Sequence, residues 1–195
     1  MTETRTGHPF YLYDAIHQQP SLVRRTISER ADLVAQAARA AAEKGRLWIV
    51  GIGSSLYTAE IAEYFFRHLT GGRADIRVGQ SFEFVFYPPA LGERDAVIIL
   101  SHTGITKCTI DALEFARRAG ALTIAVSGEN EGEAMRSADF LIPTCEQEVS
   151  FAYTKSLTSA LARLALFSIA FANTRGEENP TAKKSLDGIP DLMQQ

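Results

Sequence analysis

The chain has 195 residues, 46% of them hydrophobic, and a formal net charge of −3 at pH 7. One compact domain with a sizeable core is typical of this length, and the charge excludes a general attraction to nucleic acid or to an anionic membrane. The polar N-terminus carries no signal-peptide pattern, and no apolar run is long and uninterrupted enough to span a bilayer. We therefore expect a cytoplasmic protein without a membrane segment.

The two cysteines, Cys108 and Cys145, form no metal-binding or redox motif. We expect both to be reduced residues that contribute only to packing. Nothing in the sequence has the spacing of a metal site, and we expect neither a metal ion nor a cofactor.

The first 45 residues predict a helical leader that packs on the rest of the domain. A short helix is expected over residues 10–18, and Pro20 should interrupt it because proline cannot donate a backbone hydrogen bond. A long amphipathic helix is expected over residues 22–43, and Gly45 is well placed to end it.

Residues 46–173 alternate between short apolar runs and helical patterns, which predicts one domain. The expected elements are a strand at 47–51, a helix at 56–69, strands at 75–79 and 96–100, a helix at 106–118, a strand at 121–126, a short helix at 131–136, a strand at 139–142 and a long helix at 152–172. This order predicts an α/β fold, a three-layer αβα sandwich around a mainly parallel sheet of about five strands. Residues 174–195 are polar and are expected to form a partly helical C-terminal arm.

The first predicted strand ends in a glycine turn with hydroxyl groups, which reads Gly51-Ile52-Gly53-Ser54-Ser55. Glycines let the backbone approach a ligand closely. A dinucleotide fingerprint would need a third glycine at position 56, which is Leu56, and a P-loop would need a following lysine. We therefore interpret the turn as a ligand-binding turn of another kind.

A second turn of this type follows the apolar run at 97–100 and precedes a predicted helix. The free N–H groups and the dipole of a helix N-terminus favour an anion, and several hydroxyls favour a phosphate over a carboxylate. The alternative is an ordinary capped turn, because Ser and Thr are common at helix starts. The turn contains Ser101, His102, Thr103, Gly104 and Thr106.

Together with the segment Glu-Val-Ser-Phe-Ala-Tyr-Thr-Lys at 148–155, the two turns resemble the SIS (sugar isomerase) domain family in their order and spacing. The resemblance covers residues 8–173. It implies a flavodoxin-like fold and a sugar phosphate bound at the carboxyl ends of the strands.

The resemblance also implies which residues hold the ligand. The residues in the phosphate-binding positions are Gly53, Ser54, Ser55, Ser101, His102, Thr103, Gly104 and Thr106. Glu148 and Lys155 flank the third motif. Glu148 would either bind sugar hydroxyls or cap the last helix, and Lys155 would either support the ligand or be an ordinary solvated lysine. His102 would donate a hydrogen bond when neutral, would add charge when protonated, or would point to solvent.

An isomerase of this family would need catalytic side chains besides the phosphate-binding residues. Aldose–ketose isomerisation needs a base that moves a proton between adjacent carbons. In the resembled family that base comes mainly from a second subdomain, a neighbouring subunit or a C-terminal tail. Within this chain the helix at 56–69 offers Glu60, Glu63 and His68, each of which is otherwise a solvated side chain. No N-terminal nucleophilic cysteine is present, so we expect no glutaminase activity.

Two hypotheses follow from the sequence. The first is a phosphosugar isomerase, or an enzyme that processes an amino sugar phosphate, acting as a homodimer or homo-oligomer. The aromatic segment 81–87 and the long terminal helices offer apolar surface for such association. The second is a non-catalytic sugar-phosphate sensor, or one half of a split enzyme whose partner is a second SIS chain.

Overall fold

The computed structural model describes residues 4–129, 132–150 and 152–194. The helices and strands are α1 (Tyr11–Ser28), α2 (Ala31–Ala42), β1 (Arg46–Gly51), α3 (Ser54–Leu69), β2 (Ile76–Gln80), α4 (Ser81–Phe86), β3 (Asp95–Ser101), α5 (Lys107–Arg118), β4 (Leu122–Ser127), β5 (Phe140–Pro143), α6 (Lys155–Thr174) and α7 (Pro180–Leu192). A short 3₁₀ helix, Glu133–Ser137, precedes β5. The short helix predicted at 131–136 corresponds to this turn, and residue 131 lies outside the described residues.

The five strands form one parallel sheet in the order β2-β1-β3-β4-β5. On one face, α1, α2, α3 and α6 form the larger core with the sheet, and on the other face α4 and α5 form a smaller core. Every residue of the central strand β3 is buried, as its continuous apolar run predicts. The predicted three-layer αβα sandwich is confirmed.

The N-terminal leader differs from its prediction in where the helix breaks. Helix α1 continues through Pro20, because Leu22, Val23 and Ile27 extend one buried face across it. The break lies instead at Arg30, which adopts a left-handed conformation with φ 52°. The prediction of one continuous helix over residues 22–43 is therefore wrong.

Helix α4 is an element that the sequence pattern did not predict. The Gln80 side chain accepts hydrogen bonds from the backbone N–H groups of Phe82 and Glu83, and this cap starts the helix directly after β2. Phe84 is buried against Trp48 and Phe115 in the smaller core.

Helix α6 occupies the centre of the larger core. Within the described part of the chain, it is the one helix whose length and apolar composition would allow it to cross a membrane. More than half of that stretch is buried inside the domain, and core helices of soluble proteins have the same composition. Its apolar character is accounted for by packing against α1, α2 and α3.

Candidate functional site

The two hydroxyl-rich turns meet at the carboxyl edge of the sheet, because β1 and β3 are neighbouring parallel strands. They border a cleft of about 350 Å³. Its lining residues are Ile52, Gly53, Ser54, Ser55, Leu100, Ser101, His102, Thr103, Thr106, Thr109 and Tyr153. A pocket of about 30 Å³ extends behind it towards Ser156 and Leu157 at the start of α6.

Two glycines bring the first turn close to the cleft. A Cβ atom on Gly51 would lie 2.6 Å from the carbonyl carbon of Ser55, so only glycine lets β1 pass this near to α3. Gly53 has φ 59° and ψ −129°, a backbone region open essentially to glycine alone. The strand therefore turns directly into α3, with Ser54 as the first helical residue.

Four hydroxyl groups at the cleft make no hydrogen bond within the described residues. They belong to Ser54, Ser55, Thr103 and Thr106. Ser54 is exposed and the other three are half-buried, so all four hydroxyls are open to a ligand. Ser101 differs, because its Oγ accepts a hydrogen bond from the Gly104 backbone N–H at 3.2 Å.

Two helices begin at the cleft without a side-chain cap. Helix α3 has Gly53 at its N-cap, which has no side chain, and the side chain of Thr106 at the N-cap of α5 makes no bond to the N–H groups of the first turn. The N–H groups of Ser54, Lys107 and Cys108 have no acceptor within the described residues, whereas those of Ser55, Leu56 and Tyr57 already donate to the Ile52 and Gly53 carbonyls. The free N–H groups and the helix dipoles favour an anion at this point. The cleft therefore combines neutral hydrogen-bond donors from two turns with two helix N-termini.

Helix α6 also begins near the site, but Glu148 satisfies its N-terminus. The Glu148 carboxylate accepts hydrogen bonds from the backbone N–H groups of Thr154 and Ser156 and from both of their hydroxyls. Burial opposes the ionised form, yet these hydrogen bonds outweigh it and hold the pKa of Glu148 below its ordinary value. The carboxylate faces its own loop and does not line the cleft.

Lys155 is buried in the first turn of α6, rather than solvated. Its Nζ donates to Glu146 Oε1 at 2.7 Å and to Gln18 Oε1 at 3.0 Å, which ties α6 to α1. It does not line the cleft. Its contribution to a ligand would be made through the loop that it anchors.

His102 lies at the centre of the site, and its contacts define its protonation. The Glu148 backbone N–H donates to His102 Nε2 at 3.3 Å, so Nε2 is unprotonated and the proton lies on Nδ1. Nδ1 is buried and makes no hydrogen bond to a described residue. Burial of the ring is the main cause that lowers the pKa of His102, so the imidazole is neutral at pH 7.

The three candidate bases lie outside the cleft. Glu60 and His68 are exposed on α3. Glu63 forms an ion pair with Arg67 at 2.7 Å and borders a separate groove beside β2. Because none of the three lines the cleft within this chain, their catalytic roles stay predictions.

Several lining residues were not predicted as part of the site. Thr109 follows Thr106 by three positions and Thr58 follows Ser54 by four, so each lies on the same helix face as a predicted residue. That spacing is the signal that would have found them. Tyr153 has no such helical spacing but belongs to the motif at 148–155, and its ring makes an edge-to-face contact with the His102 ring at 5.7 Å between ring centres.

No residue that lines the cleft carries a carboxylate, an ammonium or a guanidinium group. Among the described residues, no group of three His, Cys, Asp or Glu side chains is arranged to hold a metal ion. The arrangement suits an anion that is bound by hydroxyls, backbone N–H groups and one neutral imidazole.

The SIS domain family model matches residues 41–170, two thirds of the chain. The chain belongs to the SIS domain family. It is 28% identical, over 196 aligned residues, to glutamine–fructose-6-phosphate aminotransferase [isomerizing] of Mesorhizobium japonicum. That alignment covers 95% of this chain and 32% of the relative, so the chain spans about a third of the length of the enzyme.

Solved structures of SIS proteins share the fold. The C-terminal domain of glucosamine-fructose-6-phosphate aminotransferase from Francisella tularensis superposes with a TM-score of 0.80 at 18% identity, covering 98% of this chain and 56% of that one. A protein of Escherichia coli CFT073 superposes with a TM-score of 0.72 at 17% identity, covering 90% of this chain and 95% of that one. The fold therefore occurs in chains of about this length and as half of a longer SIS chain.

Proposed function

We propose that the protein binds a sugar phosphate with its phosphate group between the two hydroxyl-rich turns. The observation that carries this proposal is the set of four unbonded hydroxyls, Ser54, Ser55, Thr103 and Thr106, beside two uncapped helix N-termini. Each charge-assisted hydrogen bond to a phosphate contributes on the order of 1.5–3 kcal/mol before desolvation is counted. Such a site holds a phosphate without a fixed cation.

The proposed reaction class is phosphosugar isomerisation, or processing of an amino sugar phosphate. Homology to an aminotransferase with an isomerising activity supports this class. The reaction needs a base, and the cleft offers no carboxylate. Its one histidine already accepts the Glu148 N–H at Nε2, and its Nδ1 is buried, so neither ring nitrogen is free to act as the base. The base is therefore expected from a second SIS domain, supplied by a second copy of this chain or by a second SIS chain.

A helix face next to the cleft supports association with a second copy. Tyr57, Ile61 and Tyr64 are exposed at successive turns of α3, the helix whose N-terminus borders the cleft. Exposed apolar side chains in a contiguous stripe are typical of interaction surfaces. A domain bound to this face would lie at the edge of the cleft, where it could contribute a base. The proposed assembly is a cytoplasmic homodimer or homo-oligomer without nucleic acid, membrane or cofactor.

A second candidate function is a non-catalytic sugar-phosphate sensor, or one half of a split enzyme with two SIS chains. The lining residues of the cleft include no carboxylate that could act as a base, which favours this function. The chain also spans about a third of the curated relative. Both functions use the same phosphate-binding site, and only a measurement of turnover distinguishes them.

The experiment measures conversion of fructose 6-phosphate and glucosamine 6-phosphate by NMR, together with the mass of the particle by sedimentation. Turnover by a dimer would support the isomerase, and Glu60→Gln, Glu63→Gln and His68→Asn would then be compared individually. If none of the three reduces turnover, the base is another group. Binding without turnover would support the sensor or the split enzyme, and absence of binding would contradict both.

A further inference from the structure

A second cavity, of about 400 Å³, lies beside the sugar-phosphate cleft at the carboxyl ends of β4 and β5. It lies between the turn that joins α1 to α2 and one face of α6. It shares Thr144 with the small pocket of the first site and has otherwise different walls. Its volume is within the range of small-molecule sites, roughly 300–1,000 Å³. The walls are Arg25, Thr26, Glu29, Arg30, Glu129, Leu141, Pro143, Thr144 and Arg163.

Arg163 is the unusual residue of this cavity. It lies on the core helix α6 and is only 3% exposed, and among the described residues it forms no ion pair. Its Nε donates to the Pro143 carbonyl at 3.0 Å and its Nη1 donates to the Glu29 carbonyl at 2.8 Å. The Nη2 group has no acceptor in the described part of the chain.

A buried guanidinium that no carboxylate contacts directly is costly. Burial is the main cause that lowers the pKa of Arg163 to about 10; Arg30 and Arg25 also lower it, while the carboxylates of Glu29 and Glu129 raise it without forming an ion pair with Arg163. A carboxylate or phosphate in contact with this side chain would supply the missing counter-charge. Proteins that bury a charge usually provide such a partner.

Two further arginines border the same space. Arg30 forms no ion pair within the described residues, and its left-handed backbone conformation (φ 52°) is uncommon for a non-glycine residue. Local backbone strain of this kind is concentrated at functional sites. Arg25 binds Glu129 at 2.9 Å and Glu146 at 3.0 Å. With Glu29 and Glu129 as its two carboxylates, the cavity wall carries one net positive charge.

We propose that this cavity binds a small oxyanion, a phosphate or carboxylate group of a metabolite, between Arg163 and Arg30. The free edge of the Arg163 guanidinium would bind the anion from the core side, and Arg30 would approach it from the rim. Planar guanidinium groups bind these anions through paired hydrogen bonds. The site is distinct from the sugar-phosphate cleft, where no charged side chain takes part.

The experiment is a calorimetric titration in a buffer without phosphate or carboxylate. The protein carries Thr103→Val and Thr106→Val, so that the first site contributes little, and inorganic phosphate and succinate are titrated separately. We expect one saturable site for at least one of the two anions. The anion that binds more tightly shows whether the ligand of this cavity carries a phosphate or a carboxylate group.

Arg30→Gln tests the rim of the cavity, and we expect it to weaken binding about fivefold. Arg39→Gln is the matched control, because Arg39 is an exposed arginine of α2, the helix that Arg30 precedes, and it does not line the cavity. Arg163→Lys keeps the charge but loses the planar fork, and we expect a loss of about tenfold with the fold intact by circular dichroism.

The proposal is overturned if neither anion binds saturably, or if Arg39→Gln weakens binding as much as Arg30→Gln. Binding of sugar phosphates to the unmodified protein is measured independently. If no sugar phosphate binds to the cleft, the titration with phosphate and succinate therefore still tests the second cavity.

Discussion

At the scale of single residues, the cleft is lined by hydroxyls that make no hydrogen bond to other described residues. Thr103 and Thr106 make no side-chain hydrogen bond within the described residues, whereas Ser101 holds the Gly104 N–H. Removal of the Thr103 and Thr106 hydroxyls should therefore affect a ligand more than the fold. Ser101 is a poorer test, because it is buried and its hydroxyl also takes part in the hydrogen bonding of the turn, where the Gly104 N–H donates to both Ser101 Oγ and the Ser101 carbonyl.

We expect Thr103→Val combined with Thr106→Val to weaken sugar-phosphate binding about 10- to 100-fold, because two charge-assisted hydrogen bonds are lost. The control pair is Thr6→Val with Ser185→Ala, two exposed hydroxyls that do not line the cleft. Calorimetry measures both pairs against the same sugar phosphate. Equal affinities for the two double variants would mean that the hydroxyls of the second turn do not hold the phosphate.

His102 should make the stability of the protein depend on pH. Its pKa is lower in the folded chain than in the unfolded chain, so the unfolded chain binds more protons below pH about 6.5. Stability is therefore complete above that pH and falls as the solution is acidified. Protonation would also place a second proton on Nε2 and break the hydrogen bond from the Glu148 N–H.

We expect the free energy of unfolding to fall less between pH 7.5 and 5.5 in His102→Gln than in the unmodified protein. Urea denaturation at each pH measures the difference. His68→Gln is the matched control, since that histidine is exposed on α3. An identical pH dependence in all three proteins would contradict the buried, neutral state of His102.

The hydroxyls were predictable from the sequence and the histidine contact was not. Ser54, Ser55, Thr103 and Thr106 follow buried strands within a few residues, so the local pattern alone indicates them. The bond between Glu148 and His102 joins positions 46 apart, and only the packed fold brings these residues together.

At the scale of elements, the loop before α6 depends on one carboxylate. Glu148 replaces the water that would otherwise hydrate the first N–H groups of this helix, and it also positions the N–H that contacts His102. A neutral amide can accept fewer and weaker hydrogen bonds than a carboxylate. The loop that carries Tyr153 into the cleft should therefore loosen when this charge is removed.

We expect Glu148→Gln to lower the free energy of unfolding by about 2 kcal/mol and to weaken sugar-phosphate binding. Glu114→Gln is the control, because Glu114 has only an exposed helical ion pair with Arg118 at 3.6 Å and should change stability by less than about 0.5 kcal/mol. Chemical denaturation measures both. If the Glu148→Gln and Glu114→Gln variants were equally stable, the Glu148 cap would be dispensable.

The order of strands and helices was predictable because each buried strand reads as a continuous apolar run. The helix break was not, because Pro20 is a local signal and the break at Arg30 depends on distant contacts. There, the Glu29 carbonyl accepts a hydrogen bond from Arg163, 134 positions away. Helix α4 was missed because it is only six residues long and is started by a glutamine cap.

At the scale of the whole molecule, we propose that the domain binds the phosphate group and that its cleft contains no base of its own. Its family is established by the match over residues 41–170, and its fold occurs both in chains of this length and in longer SIS chains. A second domain beside α3 would complete the site. We therefore propose that the cleft binds the phosphate group of a sugar phosphate.

Thermal unfolding with fructose 6-phosphate, glucosamine 6-phosphate and glucose 6-phosphate, each beside its unphosphorylated sugar, tests this binding. At a ligand concentration of about 100 times Kd, binding stabilises the folded state by ~2.7 kcal/mol. For a domain of this size we predict a rise in Tm of roughly 5–10 °C with phosphorylated sugars alone. No rise with any phosphorylated sugar, or an equal rise with the free sugars, would contradict the account.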